Sequence, residues 1–255
     1  MAPTPLVVFD EISVRYPGAE RNAVTDLTLS VGPGERVALV GPSGAGKSTI
    51  LALSAGLTLP TTGAVEVLGV PSERLGRRSH RAERSRIGVI SQDFALVGPL
   101  RVASNVAAGR LGRFSWFDAV RALVRPRPIE EIGEALNTVG IAHKLWERAD
   151  SLSGGEQQRT AIARALFQGP DLLLADEPVS ALDPARSEAV MGVLAEQAAA
   201  NGRALIASMH DAPLALAHCD RIIAMRQGRM LFDRPSAEVS AELLDELYRL
   251  EATAG

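Results

Sequence analysis

The sequence predicts an α/β fold: a parallel sheet built around a phosphate-binding loop, opened by an antiparallel β segment and interrupted by an inserted helical subdomain. Three observations predict it. An apolar strand runs directly into Gly41-Pro42-Ser43-Gly44-Ala45-Gly46-Lys47-Ser48 and then into good helix formers. Strand-like and helix-like segments alternate from Glu156 to Met225, the pattern of a parallel sheet with crossover helices. Between these regions, from Phe94 to about Gly140, the periodicity is helical, broken at Arg125-Pro126-Arg127-Pro128, and strong strand runs are missing.

The elements follow in order. Leu6 to Tyr16 and Ala23 to Val31 are rich in β-branched residues and largely alternate, with Pro17-Gly18 and Gly32-Pro33-Gly34 as turns. Arg36 to Val40 reads as a buried strand and Ser48 to Ala55 as the helix after the loop. Ile87 to Ile90 reads as a further strand. Then come a helix over Glu156 to Gln168, a strand over Leu172 to Asp176, a helix over Ala185 to Ala200 and a strand over Arg203 to Met209. Ala212 to His218 reads as helix, Ile222 to Met225 as strand, and Ser236 to Leu250 as a capped helix too short to be a separate domain. One domain over residues 1–255 accounts for this order, with the helical subdomain at about 93–160 and no internal repeat.

Composition bounds the function. The 255 residues are 46% hydrophobic and 22% charged, enough for a substantial core. A single cysteine, Cys219, allows no intrachain disulfide and fits a reducing compartment. The segment Met1 to Phe9 lacks the basic and apolar regions of a secretory signal. No stretch approaches the about 20 apolar residues of a spanning helix, so a membrane role would come through a partner. The net charge of −3 lacks the basic footprint of nucleic-acid-binding domains.

The glycine-rich loop carries the clearest chemistry. Its glycines allow backbone N–H groups to turn toward phosphate oxygens, and the following helix N-terminus favours negative charge. Lys47 is placed for the β- and γ-phosphates, and the Ser48 hydroxyl for Mg²⁺, with Thr49 next in the helix. Asp176 ends an apolar strand and is positioned for Mg²⁺; Glu177, directly after it, is positioned to polarise the water that attacks the γ-phosphate. A bare acidic turn would be weak evidence, but beside the loop the pair completes a nucleotide-hydrolysing set.

Leu152-Ser153-Gly154-Gly155-Glu156-Gln157 resembles the signature motif of ATP-binding cassette (ABC) ATPases, and the resemblance extends along essentially the whole chain. It implies a RecA-like phosphate-loop core and further roles. Tyr16 matches the aromatic that stacks on adenine. Gln92 matches the loop glutamine that senses Mg²⁺ and the permease, and is expected to serve both catalysis and metal binding. Ser180-Ala181-Leu182-Asp183 matches the loop crossing between subunits, and His210 the switch histidine at the γ-phosphate. Ser153, Gly154, Gly155 and Glu156 open a helix and would cap the ATP held by a second copy, so that two ATP molecules are sandwiched in a homodimer.

The resemblance further implies separate permease subunits, indirectly a periplasmic or surface solute-binding protein, and a place on the cytoplasmic face of a bacterial-type membrane. Phe94, Leu96 and Val97 are candidates for the apolar floor of the permease groove. The chain is most similar to ATPases of phosphonate importers. Asn105-Val106-Ala107-Ala108-Gly109-Arg110-Leu111-Gly112-Arg113, Leu174 to Val179, Phe232 to Ala237 and Leu247-Tyr248 carry that likeness, while Asp211-Ala212-Pro213 departs from it. The transport alternatives are another solute importer, an exporter or a lipoprotein-releasing ATPase. Two-cassette translation or repair ATPases would show a second cassette, coiled coils or cysteine clusters, and a scaffold would lack the Glu177 base. His80, His143, His218 and Cys219 receive no role, and the arginines from Arg74 to Arg86 are expected on a solvated helical face.

Overall fold

The computed structural model describes residues 3–76, 78–113, 127–180, 182–200 and 202–248. Arg77 of the basic run, Arg125 and Pro126 of the helix break, Ala181 of the crossing loop and Leu250 of the tail lie outside them, as does Met1.

Strands β1 (Val7–Val14) and β2 (Val24–Val31) pair antiparallel as their alternation predicts. Strand β3 (Arg36–Val40) leads to helix α1 (Lys47–Ser54). Strands β4 (Thr62–Val67) and β5 (Val70–Pro71), which the sequence pattern did not reveal, extend the first sheet to the order β2-β1-β4-β5. Four of the six β4 residues are exposed, and the exposed–buried alternation covers only Ala64 to Val67, a short signal. Strand β6 (Ile87–Ile90) follows, then helices α2 (Val102–Ala107) and α3 (Ile129–Thr138). Helix α4 (Gly154–Gln168) returns the chain to β7 (Leu172–Asp176), α5 (Pro184–Ala200) and β8 (Ala204–Met209). Helix α6 (Ala212–His218), strands β9 (Arg221–Arg226) and β10 (Arg229–Pro235), and helix α7 (Ala241–Tyr248) complete the order.

The second sheet has the order β10-β9-β3-β8-β7-β6, with β3, β6, β7, β8 and β9 parallel and β10 antiparallel at its edge. Its inner strands β3, β7 and β8 are apolar on both faces because both are covered. Ala38 and Val40 join one buried cluster with Leu173, Ala175 and Ile162; Val37 and Leu39 join the other with Leu172, Leu174 and Ile50. Alternate residues thus bind α4 and α5 on one side, and α1 with the first sheet on the other.

Two expectations are corrected. Phe94 to Leu100 is not helical; Phe94 and Ala95 have positive φ, at 59° and 45°, and regular helix begins only at Val102. The basic run is not one helical face either. It breaks into short turns at Ser72–Leu75, Arg78–His80 and Arg81–Arg84, because Leu75 turns wholly inward and Gly76 ends the first turn. Arg86 leaves the run to pair with Asp171 at 2.5 Å, and Arg81 donates to the Leu111 carbonyl at 2.9 Å.

Candidate functional site

The site forms where β3, β8 and β7 lie side by side and their C-terminal ends align, with Val40 opposite Met209 and Asp176 opposite Ser208. That is the edge at which open α/β sheets bind ligands. After Val40 the loop Gly41, Pro42, Ser43, Gly44, Ala45 and Gly46 turns into α1. Gly46 has φ 102°, and a Cβ there would stand 2.5 Å from the Ala23 carbonyl oxygen, so no other residue fits without displacement. Gly46 is the N-cap of α1 and supplies no side-chain acceptor, which leaves the first N–H groups of the helix directed at the loop. The pocket above them has a volume of about 240 Å³ and is walled by Ser43 to Thr49, Ala23, Glu177 and His210.

Lys47 is buried, and its Nζ donates to the carbonyls of Gly41 at 2.5 Å and Pro42 at 3.0 Å. The ammonium is therefore aimed along the loop. Ser48 Oγ donates to Asp176 Oδ1 at 3.1 Å. The same carboxylate oxygen accepts from Ser208 Oγ at 2.5 Å, and Ser208 Oγ in turn accepts from the Glu177 backbone N–H at 3.0 Å. Glu177 sits at φ 50°, a left-handed conformation that a side chain adopts only when its surroundings enforce it. That pose presents Oε1 to His210 Nε2 at 2.6 Å. Ser180 Oγ donates to the Glu177 carbonyl at 3.1 Å, and Tyr248 donates to the His210 carbonyl at 3.4 Å, tying α7 to the same corner. On the far side of the Glu177–His210 pair a larger, mainly apolar cavity of about 590 Å³ opens among Val179, Leu182, Pro184 and Leu214.

Ser208 is the residue the sequence reading missed. It is fully buried in an otherwise apolar strand, two residues before His210, and that lone hydroxyl was the available signal. Tyr16 is half-exposed, and its hydroxyl lies 3.3 Å from Thr49 Oγ1, so its ring stands open beside α1. Asp211, part of the departure from the expected wording, N-caps α6 by accepting from the Leu214 N–H at 2.9 Å.

Gln92 and the signature residues do not join this cluster. Gln92 is exposed after β6 and hydrogen-bonds to no described residue; its neighbour Ser91 shares a small cavity with Ser48 and Asp176. Ser153 N-caps α4 through a capping box. Its backbone N–H and its hydroxyl both donate to Glu156 Oε2, at 2.9 and 2.8 Å, and the Glu156 N–H returns a bond to Ser153 Oγ at 3.4 Å. These bonds, the backbone one first, hold the Glu156 carboxyl below its ordinary pKa, with Lys144 at 3.5 Å assisting.

The remaining histidines and the cysteine lie elsewhere. His80 is 3.7 Å from Glu83 and His218 is 3.0 Å from Glu188. Burial pushes the Cys219 thiol up to about 12, which keeps it protonated and inert.

Fold and site together define a phosphate-loop nucleotide hydrolase of the cassette type, in which helices α2 to α4 precede the carboxylate-bearing strand β7. Residues 24–180 match the ABC transporter family, so the chain belongs to that family and is an ATP-binding ATPase whose activity is coupled to transport. It is 48% identical over 89% of its length to the phosphonates import ATP-binding protein PhnC of Anaeromyxobacter dehalogenans, and spans 45% of that relative. It is 45% identical over 90% of its length to PhnC 1 of Pseudomonas syringae pv. tomato, spanning 86% of it. Among solved structures it resembles the dimeric bacterial ABC transporter cassette MJ0796, with TM-score 0.79 and 28% identity, covering 90% of this chain and 98% of the other. A post-hydrolysis MJ0796 dimer bound to ADP and Pi is similar at TM-score 0.78.

Proposed function

We propose that this chain is the ATPase subunit of a phosphonate importer, and that two copies close around two ATP molecules beneath a separate permease served by a solute-binding protein. The single observation that carries the chemistry is the continuous hydrogen-bonded chain from Ser48 through Asp176 and Ser208 to Glu177 and His210, which faces the phosphate loop. In this reading the α1 N–H groups and Lys47 hold the β- and γ-phosphates, and the Tyr16 ring stacks on adenine. Glu177, fixed by its backbone bond to Ser208, accepts the proton of the attacking water, while His210 holds that carboxylate and meets the γ-phosphate.

Mg²⁺ fits the residues present. Ser48 and Asp176 offer one hydroxyl and one carboxylate, the sparse set that Mg²⁺ takes when phosphates and water complete its shell. When bound, it would neutralise charge on the phosphate oxygens. Gln92 follows Ser91, which shares a cavity with Ser48 and Asp176, and reporting on that shell is its proposed role.

Self-association follows from separation within the chain. Ser153, Gly154, Gly155 and Glu156 do not line the phosphate-loop pocket, so the second anion-binding helix end is supplied by a partner copy. The dimeric cassettes among the similar structures support this. No described helix is long and apolar enough to cross a membrane, which suits a subunit that works against a permease. Exposed Leu57, Val89 and Val97, with Phe94 and Leu96 partly covered, supply apolar surface for that contact. Phosphonate as cargo rests on the names of relatives at 42–48% identity.

The deciding experiment is uptake of labelled phosphonate by cells lacking the gene. The wild-type copy should restore uptake and E177Q should not. Transport of an amino acid or metal chelate by the native complex, with phosphonate ignored, overturns the cargo while leaving the ATPase intact.

A further inference from the structure

The turn that corrects the sequence expectation, Phe94-Ala95, has a specific cause. Two consecutive non-glycine residues with positive φ are unfavourable unless something holds them. Arg164, in the middle of α4, does so: its Nη1 donates to the Ala95 carbonyl at 2.6 Å and its Nη2 to the Phe94 carbonyl at 2.8 Å. A guanidinium is the group for this, because its fork of donors grips two acceptors in one plane. Burial draws the Arg164 pKa down, and the Asp93 carboxylate opposes that fall.

The neighbourhood is built to keep Arg164 in place. Gly109 lies so near α4 that a Cβ there would stand 2.4 Å from the Arg164 carbonyl oxygen. Arg110 donates to the Phe167 carbonyl at 2.8 Å and covers the Phe167 ring at 3.9 Å. The next stretch of chain has a separate clamp. Asn105, buried in α2, accepts from the Val97 N–H at 2.8 Å and donates to the carbonyls of Val97, Leu100 and Arg101. Within the stretch Asn105 to Arg113, which carries the subgroup likeness in the sequence, Asn105, Gly109 and Arg110 are thus packing that ties the chain after Gln92 to the signature helix.

We infer that Arg164 is a positioning residue that locks the Phe94–Ala95 turn to the signature helix, so that a displacement of one is passed to the other. On the proposed function, which this inference deepens, a push on the turn from the permease moves Ser153 relative to the phosphate loop. Nucleotide closure moves the turn in return, since coupling of this kind is reciprocal.

Amide hydrogen exchange tests the lock directly. R164M should accelerate exchange at Phe94 and Ala95 by about ten-fold or more, while the Asn105-held Val97 amide and the core amide of Leu173 keep their wild-type rates. N105A should reverse the pattern, and R164K should fall between R164M and wild type. Unchanged exchange at Phe94 and Ala95 in R164M overturns the lock, as does equal acceleration at Leu173.

The coupling consequence is read in proteoliposomes holding the permease and binding protein. R164M should keep KM for ATP within about twofold and lose several-fold in phosphonate transported per ATP hydrolysed, with partial rescue by R164K. Transport and hydrolysis falling in step, at the wild-type ratio, overturns the coupling role. If the wild-type complex ignores phosphonate, the cargo proposal fails while the exchange result stands by itself.

Discussion

Two helices of this chain start at N-termini proposed to bind phosphate, and they are capped in opposite ways. Helix α1 starts at Gly46 with no side-chain cap, beneath the phosphate-loop pocket. Helix α4 starts at Ser153 with both halves of a capping box closed on it. At α1 the N–H groups are ready for phosphate. At α4 the Ser153 hydroxyl is already donating to Glu156, so a phosphate oxygen must compete with a carboxylate for the same proton. The difference teaches that no side-chain cap stands before a nucleotide at α1, whereas capture across the proposed dimer requires the box to yield. In the proposed dimer, closure would then require the γ-phosphate to displace Glu156 from Ser153.

The largest expected effect tests the open end. Lys47→Ala removes the main fixed positive charge of the loop and should lower ATP affinity and turnover by roughly two orders of magnitude or more. Equilibrium nucleotide binding and ATPase assays on the folded variant check it. Near wild-type values would place the nucleotide elsewhere.

Next comes the separation of capture from cleavage. Glu177→Gln keeps the shape and the contact to His210 but loses the charge that accepts a proton, so turnover should fall roughly 10²–10⁴-fold while ATP binding persists. Light scattering should then find a dimer with ATP and Mg²⁺ and a monomer without nucleotide. Normal hydrolysis in this variant would remove Glu177 from the base role.

Ser208→Ala sharpens the description of the open site. It breaks the bridge between the Asp176 carboxylate and the Glu177 backbone without touching the phosphate loop, and should lower kcat by roughly ten-fold with KM for ATP little changed. Steady-state kinetics decide, and a change confined to KM would mean that Ser208 serves binding instead.

The smallest effects address the closed end. Glu156→Gln weakens the competitor for the Ser153 hydroxyl and should tighten the ATP-dependent dimer a few-fold in the Glu177→Gln background. Acid stability carries the sign. Because Glu156 titrates below its ordinary value in the fold, its stabilisation is present above about pH 4.3 and is lost as pH falls through the lower folded value. Denaturant unfolding of wild type and Glu156→Gln from pH 6 downward should therefore show a stability gap that narrows in acid. A constant gap would detach the box from the Glu156 charge.

The sequence by itself determined the parts whose cause is local. Strand β3 and strand β7 fall where their apolar runs predict, and α6 spans Ala212 to His218 as read, because burial on both sheet faces writes itself into consecutive residues. The phosphate loop, the Asp176-Glu177 pair and the Ser153 helix start were legible for a similar reason, since each needs particular residue types at short spacing. Only the tertiary structure decided that β4 and β10 are strands, both mostly exposed along their length. It alone broke the helical periodicity at Phe94 and joined Ser208 to two carboxylate residues 32 and 31 positions away. Strand β10 pairs with β9 just before it in a hairpin, and its mostly exposed residues hid it. Each of the others depends on a hydrogen bond whose donor and acceptor lie far apart in sequence, and no periodicity along one segment records the partner that another segment will bring to it.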